Sequence, residues 1–199
     1  MQVLHGLGVA LKSQKDYAGA AALLEEARAG RLEVLGADHP DTIRSTVELA
    51  VALGPGGSLE RVEALLRDGL ERAERVFGRD DSGALSTAHT LAVLLLDTGR
   101  VEQALALWDE LVPRARAALG EDDWTLWNSV GQQALAELRL GRLDAGRARA
   151  ERAWEGLARI HGASADQSRG LANLLVQVAR ASEDADAEAL WAARATQSD

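Results

Sequence analysis

Leu35-Gly36-Ala37-Asp38-His39-Pro40-Asp41-Thr42 is the stretch that decides the fold of this 199-residue chain, because its leading pair returns. Leu35-Gly36 recurs as Phe77-Gly78, Leu119-Gly120 and His161-Gly162, so glycines stand at 36, 78, 120 and 162. Each step is 42 residues, with no insertion or deletion. A fixed period of this size marks stacked supersecondary units rather than one globular core. Cutting after each glycine gives repeats over 1–36, 37–78, 79–120, 121–162 and 163–199, the first without its opening six positions and the last without its end.

Equivalent positions agree in chemistry. One column holds Leu7, Leu49, Leu91 and Leu175, with Gln133 as the exception, and the next holds Gly8, Ala50, Ala92, Ala134 and Val176. Small residues in a fixed column let two helices approach, and the leucines fill the space beside them. Apolar residues at 3–4 spacing, as in Thr87, Leu91, Leu94 and Leu95, read as helix. A further column, Gly57, Gly99 and Gly141, marks a short turn inside each repeat. Asp16, Ser58 and Asp184 follow as N-caps of a second helix, which ends at the junction glycine in a left-handed C-cap. Asp38, Asp80-Asp81 and Glu121-Asp122-Asp123 open the next helix, where they complement its dipole, and Pro40 suits a first turn. The predicted helices are 1–13, 16–34, 39–53, 58–76, 81–97, 100–118, 123–139, 142–160, 165–180 and 184–195. Gly54-Pro55-Gly56-Gly57 is the longest turn, and Pro113 should kink its helix near Leu111.

These columns resemble the tetratricopeptide repeat in its 42-residue, kinesin-light-chain-like form. The carriers are the junction Leu35 to Thr42, the pairs Leu49-Ala50 and Leu91-Ala92, and the turn run Gly99-Arg100-Val101-Glu102-Gln103-Ala104-Leu105. The resemblance covers essentially the whole chain. It departs where the family's paired asparagines are replaced by Val47-Glu48, His89-Thr90 and Gly131-Gln132, and where the turn tyrosine survives only as Tyr17. It implies an all-α, right-handed superhelical solenoid of antiparallel helix pairs, about ten helices in five repeats, forming one domain over 1–199. It also implies a protein-interaction scaffold that binds a peptide or protein on a concave face lined by the first helix of each repeat.

Composition agrees with the helical reading: 47% of residues are apolar, mostly Ala and Leu, and only 4% are aromatic. A formal net charge of −9 disfavours nucleic acid and anionic lipid as partners. There is no cysteine, which excludes thiolate metal sites. The N-terminus lacks a signal-peptide pattern, and no window approaches a membrane span, so a cytoplasmic setting is expected.

Register places three rings on the concave face: Gln2, Arg44, Ser86, Asn128 and Gly170; then His5, Val47, His89, Gly131 and Asn173; then Val9, Val51, Val93, Leu135 and Gln177. The third ring serves either to contact a partner or to pack between helices. From these rings, their neighbours and the rim, the candidate partner-binding residues are Arg44, Glu48, Ser86, His89, Val93, Asn128, Gln132, Leu135 and Arg139.

No catalytic residue, cofactor or metal ligand is assigned. His5 and His89 share a column two repeats apart, about 16–20 Å at 8–10 Å per helix, whereas zinc ligands lie about 2 Å from the ion. His39 reads as a turn residue and His161 as a partly buried structural one. No phosphate loop, H-E-x-x-H or nucleophile elbow is present, so an enzyme is not expected. Trp108, Trp124, Trp127, Trp154 and Trp191 fall at different repeat positions and read as packing, with Trp124 or Trp127 a partner anchor if exposed. The arginines from Arg142 to Arg159 alternate with acids as a solvated, ion-paired face. The helix 184–195 reads as a cap, whereas the first helix, with Gly6 and Gly8, looks weak, and self-association through that end is plausible. The incomplete first repeat leaves a second function open, a sensory or regulatory segment of a larger bacterial kinase or ATPase-type regulator.

Overall fold

Each predicted helix forms with both ends within one residue of expectation. The computed structural model describes residues 1–54, 56–162 and 165–196; Pro55, placed in the longest turn by the sequence, lies outside them. The helices are α1 (Gln2–Ser13), α2 (Tyr17–Leu35), α3 (Pro40–Leu53), α4 (Leu59–Phe77), α5 (Ser82–Asp97), α6 (Val101–Leu119), α7 (Trp124–Arg139), α8 (Leu143–His161), α9 (Asp166–Ala181) and α10 (Ala185–Ala195). No strand occurs among the described residues.

The caps explain the boundaries. Asp16, Ser58 and Asp184 accept from the backbone N–H groups of Gly19, Arg61 and Ala187 at 3.0, 3.4 and 3.0 Å. Asp81 caps α5 through Gly83 N–H (2.8 Å) and Asp123 caps α7 through Thr125 N–H (2.7 Å). The first junction differs: His39 Nδ1 accepts from Asp41 N–H at 3.1 Å, which leaves Asp38 to pair with Arg72 and Arg75 of α4. The junction glycines have φ of 82 to 95° with ψ of 155 to 178°. That is not the left-handed helical cap the sequence suggested but a region essentially restricted to glycine. α6 runs on through Pro113, which is solvent-exposed.

The chain divides into two compact units, Met1–Leu91 and Ala92–Asp199. In the first, α1 packs on α2, α2 on α3 and α3 on α4. Ala20, Leu24, Leu49 and Ala52 form one core cluster and Ile43, Ala73 and Ala84 another. A Cβ on Gly8 would sit 2.8 Å from Leu24 Cγ, so glycine there sets the α1–α2 spacing. In the second unit, α6 through α10 pack in sequence around Ala134, Ala150, Ala172, Leu175, Ala179 and Trp191. Burying each leucine in such a core stabilises by about 1.5–3 kcal/mol. Trp154 meets Trp191 edge-on at 5.5 Å, and the Arg194 guanidinium lies 4.4 and 4.5 Å from the two ring centres. α10 is therefore held to its unit by a buried aromatic anchor.

Candidate partner-binding clefts

Each unit holds one cleft of about 400 Å³ walled by the first helices of adjacent repeats. In the first unit α3 and the start of α5 form the walls, and the C-terminal turn of α4, with Ala73 and Phe77, closes one side. Arg44, Glu48 and Ser86, all candidates from the sequence, line this cleft together. Arg44 is exposed and lies 3.5 Å from Asp41. Glu48 pairs with Lys12 of α1. Asp81 and the hydroxyls of Ser82 and Thr87 complete a wall of mixed charge.

In the second unit the walls are α7 and α9. Asn128, Gln132 and Leu135, the other three candidates placed in a cleft, line it with Gly131. Facing them on α9 are Gln167, Gly170, Leu171, Asn173, Leu174 and Gln177. Among the described residues no ionisable side chain lines this cleft. A Cβ on Gly170 would meet nothing within 4 Å, so the α9 backbone is open to an incoming chain there.

The remaining candidates stand elsewhere. His89 is 6% exposed, so it is no surface contact. Burial lowers its pKa to about 4 and keeps the ring neutral. The register gave its column correctly but not its depth. Val93 is half-buried and lines neither cleft. Arg139 is exposed, and one of its terminal nitrogens donates to the Leu96 carbonyl at 2.7 Å. Sequence reasoning passed over Gln167, Leu171 and Leu174. Leu174 occupies the column of Glu48 and Gln132, so strict extension of the register would have found it.

The condition set on the two tryptophans resolves, and the reading of His161 is corrected. Trp127 is no exposed anchor. It is 7% exposed, its indole N–H donates to the Glu121 carbonyl at 2.6 Å, and Arg116 and Arg159 lie 5.2 and 5.8 Å from its ring centre. Trp124, at 39%, is the exposed one. His161 is exposed rather than partly buried. His5 keeps a lowered pKa, first through burial and then through the charge of Arg31; its Nδ1 is 3.1 Å from the Ser45 hydroxyl, to which Arg31 donates at 2.6 Å. Among the described residues no group of three or more His, Asp or Glu side chains could hold a metal ion, and no helix is long and apolar enough to cross a membrane.

Comparison with known proteins agrees with this geometry. The tetratricopeptide repeat family model matches residues 1–41 and 84–124. No curated protein matches the sequence. Among solved structures, the chain is similar to a Podosopora anserina putative kinesin light chain with nearly identical tetratricopeptide-like repeats, at TM-score 0.76 and 19% identity over 99% of this chain and 97% of that one. It is similar to BtubC from P. vanneervenii, at TM-score 0.74 and 19% identity over 92% and 71%. A Rap protein complexed with competence and sporulation factor matches at TM-score 0.78 and 13% identity, over 96% of this chain and 52% of the Rap chain. At these identities the likeness is one of fold.

Proposed function

Because this chain is built of tetratricopeptide repeats of the 42-residue, kinesin-light-chain-like kind, we propose that it is a protein-interaction scaffold that seats an extended peptide segment of its partner in the clefts between the first helices of successive repeats. The observation that carries this reading is the α7–α9 cleft, where Asn128, Gln132, Gln167, Asn173 and Gln177 surround Leu135, Leu171 and Leu174. A carboxamide offers the same donor and acceptor groups as a peptide bond. A line of carboxamides therefore bonds a main chain with little regard to its side chains, at about 0.5–1.5 kcal/mol per hydrogen bond. The leucines supply apolar contact and the absence of charge disfavours charged side chains, whose desolvation nothing in the cleft offsets. Fold neighbours seen with bound factor or peptide, such as the Rap protein with competence and sporulation factor, make a peptide the natural ligand class to test.

The test is selection from a random peptide display library against wild-type chain, followed by titration of the selected peptides on Asn128→Ala/Leu135→Asp and Arg44→Glu variants whose helicity is confirmed by circular dichroism. Peptides that bind wild type and lose at least tenfold in affinity on a cleft variant support the reading. Selection of no peptide, or of peptides indifferent to both variants, counts against it.

A further inference from the structure

Between Val3 and Ala10 the exposed residues of α1 are Val3, Gly6, Leu7 and Ala10, one helical stripe without a polar side chain, with exposed Gln2 and Ser13 at its two ends. Val3 is 81% exposed and Leu7 50%. The repeat supplies an internal reference for these positions. The column of Leu7 is otherwise Leu49, Leu91, Gln133 and Leu175, exposed by 0, 2, 5 and 1%. The column of Val3 contains Ser45, Thr87 and Ser129 at 0, 4 and 0%, and that of Ala10 contains Ala52, Ala136 and Val178 at 2, 0 and 6%. In α3 this stripe is covered by α2: Leu49 and Ala52 cluster with Ala20 and Leu24, and Arg31 donates to Ser45. In α7 it meets α6, where Gln133 donates to Asp109 at 2.6 Å. Only on α1 does no described helix cover it.

We propose that a second copy of this chain covers the stripe, α1 packing antiparallel on α1 about a two-fold axis between Gly6 and Leu7. Three features favour this occupant. First, the stripe is complementary to itself. Antiparallel pairing about its centre sets Val3 against the partner's Ala10 and Leu7 against the partner's Gly6, large against small at each step. Small residues at a crossing let helix axes approach to about 8 Å. A Cβ on Gly6 would meet nothing within 4 Å, so its bare backbone faces solvent within this chain. Second, the whole chain carries a net charge of −9, yet α1 contains no acidic residue, so two copies meet here without local repulsion between carboxylates. Third, a head-to-tail stack lacks its other half. The columns that present Ala20, Leu24 and Ala27 on α2 present Glu188, Ala192 and Ala195 on α10, and Glu188 is engaged by Arg180. Isologous pairing closes the assembly at two copies.

The chain has no cysteine, which makes the geometry directly testable. Sedimentation equilibrium across the micromolar range should show wild type rising from monomer to dimer mass, and Leu7→Glu remaining monomeric with unchanged helicity. Under mild oxidation Gly6→Cys should give a disulfide-linked dimer far faster than Glu26→Cys, an exposed position on α2. A wild-type chain that stays monomeric overturns the proposal. So does a dimer that survives Leu7→Glu, or one in which Gly6→Cys cross-links no faster than Glu26→Cys, since the contact then lies elsewhere. The cysteine variants do not depend on Leu7→Glu folding, so a misfolded charge variant leaves the decision with them.

Discussion

The α3–α5 cleft and the α7–α9 cleft are the same feature of the repeat, built from equivalent columns, yet one is walled by Arg44, Glu48, Asp81 and hydroxyls and the other by carboxamides, leucines and glycines. The backbone that makes both is set by columns that repeat, such as Leu49, Leu91 and Leu175. The chemistry of each is set by columns that do not, such as Arg44, Ser86, Asn128 and Gly170. Fold and specificity are thus written in separate residues of the same helix, here five positions apart. The contrast extends to response to acid. The column next to that of Arg44 and Asn128 reads His5, Val47 and His89 in the first unit but Gly131 and Asn173 in the second.

That column gives the largest expected effect. The His89 pKa falls from 6.5 to about 4 because burial disfavours the imidazolium. Between those values the unfolded chain binds a proton that the folded chain refuses. The neutral ring's contribution is therefore fully present above pH 6.5 and is lost as pH falls toward 4, by roughly 3 kcal/mol over the whole window. His5 is shifted in the same direction and adds to the loss. Urea unfolding at pH 7 and pH 4.5 should show His89→Asn losing much less stability on acidification than wild type. An equal loss in the two would mean that the buried imidazole is not what titrates.

The next contrast concerns how each cleft wall is supported. A Cβ at Gly156 would come within 2.1 to 2.5 Å of three Trp127 ring atoms, and that ring is held by the Glu121 carbonyl and two arginines. A Cβ at Gly69 would meet one Val47 methyl at 2.8 Å, the end of a side chain that can give. Gly156→Ala should therefore destabilise by about 2 kcal/mol through overpacking. Gly69→Ala should stay within about 1 kcal/mol of wild type, because gained helix propensity offsets the smaller clash. Thermal melts of the pair decide it; equal effects would erase the distinction between a rigid and a yielding support.

The fold was legible because it is periodic. One junction sequence fixed the frame, and Asp16, Ser58 and Asp184 fixed helix starts that the structure bears out to the hydrogen bond. Six of the nine candidate residues reach a cleft for the same reason. What the sequence did not carry is depth. Register places His89 in one column with His5 and Val47, but does not say that the imidazole is buried under its neighbours, because depth depends on the bulk of side chains from other helices. His39 serving as an N-cap and Asp38 turning to Arg72 and Arg75 were likewise invisible, since both depend on where α4 lies.

A smaller effect tests whether the two units obey one backbone rule. The intra-repeat turn column is Lys15, Gly57, Gly99, Gly141 and Glu183, and the glycines at 99 and 141 have φ of 80° and 74°. Lys15 and Glu183 hold φ of 65° and 55° with a side chain attached. A left-handed conformation costs a non-glycine residue roughly 1–2 kcal/mol, so Lys15→Gly and Glu183→Gly should each stabilise, by about 1 kcal/mol once the added freedom of the unfolded chain is subtracted. Denaturant midpoints that rise in both variants would show the strain to be common to the two units; a fall in either would mean that the replaced side chain makes a contact outweighing it.

The smallest expected effect bears directly on the two clefts. Charges as exposed as Arg44 contribute less than about 1 kcal/mol to a contact and are screened by salt, whereas hydrogen bonds to carboxamides carry little dependence on ionic strength. A peptide seated in the α3–α5 cleft should bind more weakly as salt rises, and Arg44→Gln should flatten that slope while changing affinity at high salt very little. A peptide seated between α7 and α9 should show no slope, and Gln132→Glu should create one whose sign follows the charge of the peptide. Fluorescence anisotropy titrations at low and high salt measure both. If peptides at the two clefts respond alike, the difference in wall chemistry does not select ligands, and the selectivity must come from the leucines and the shape of the groove.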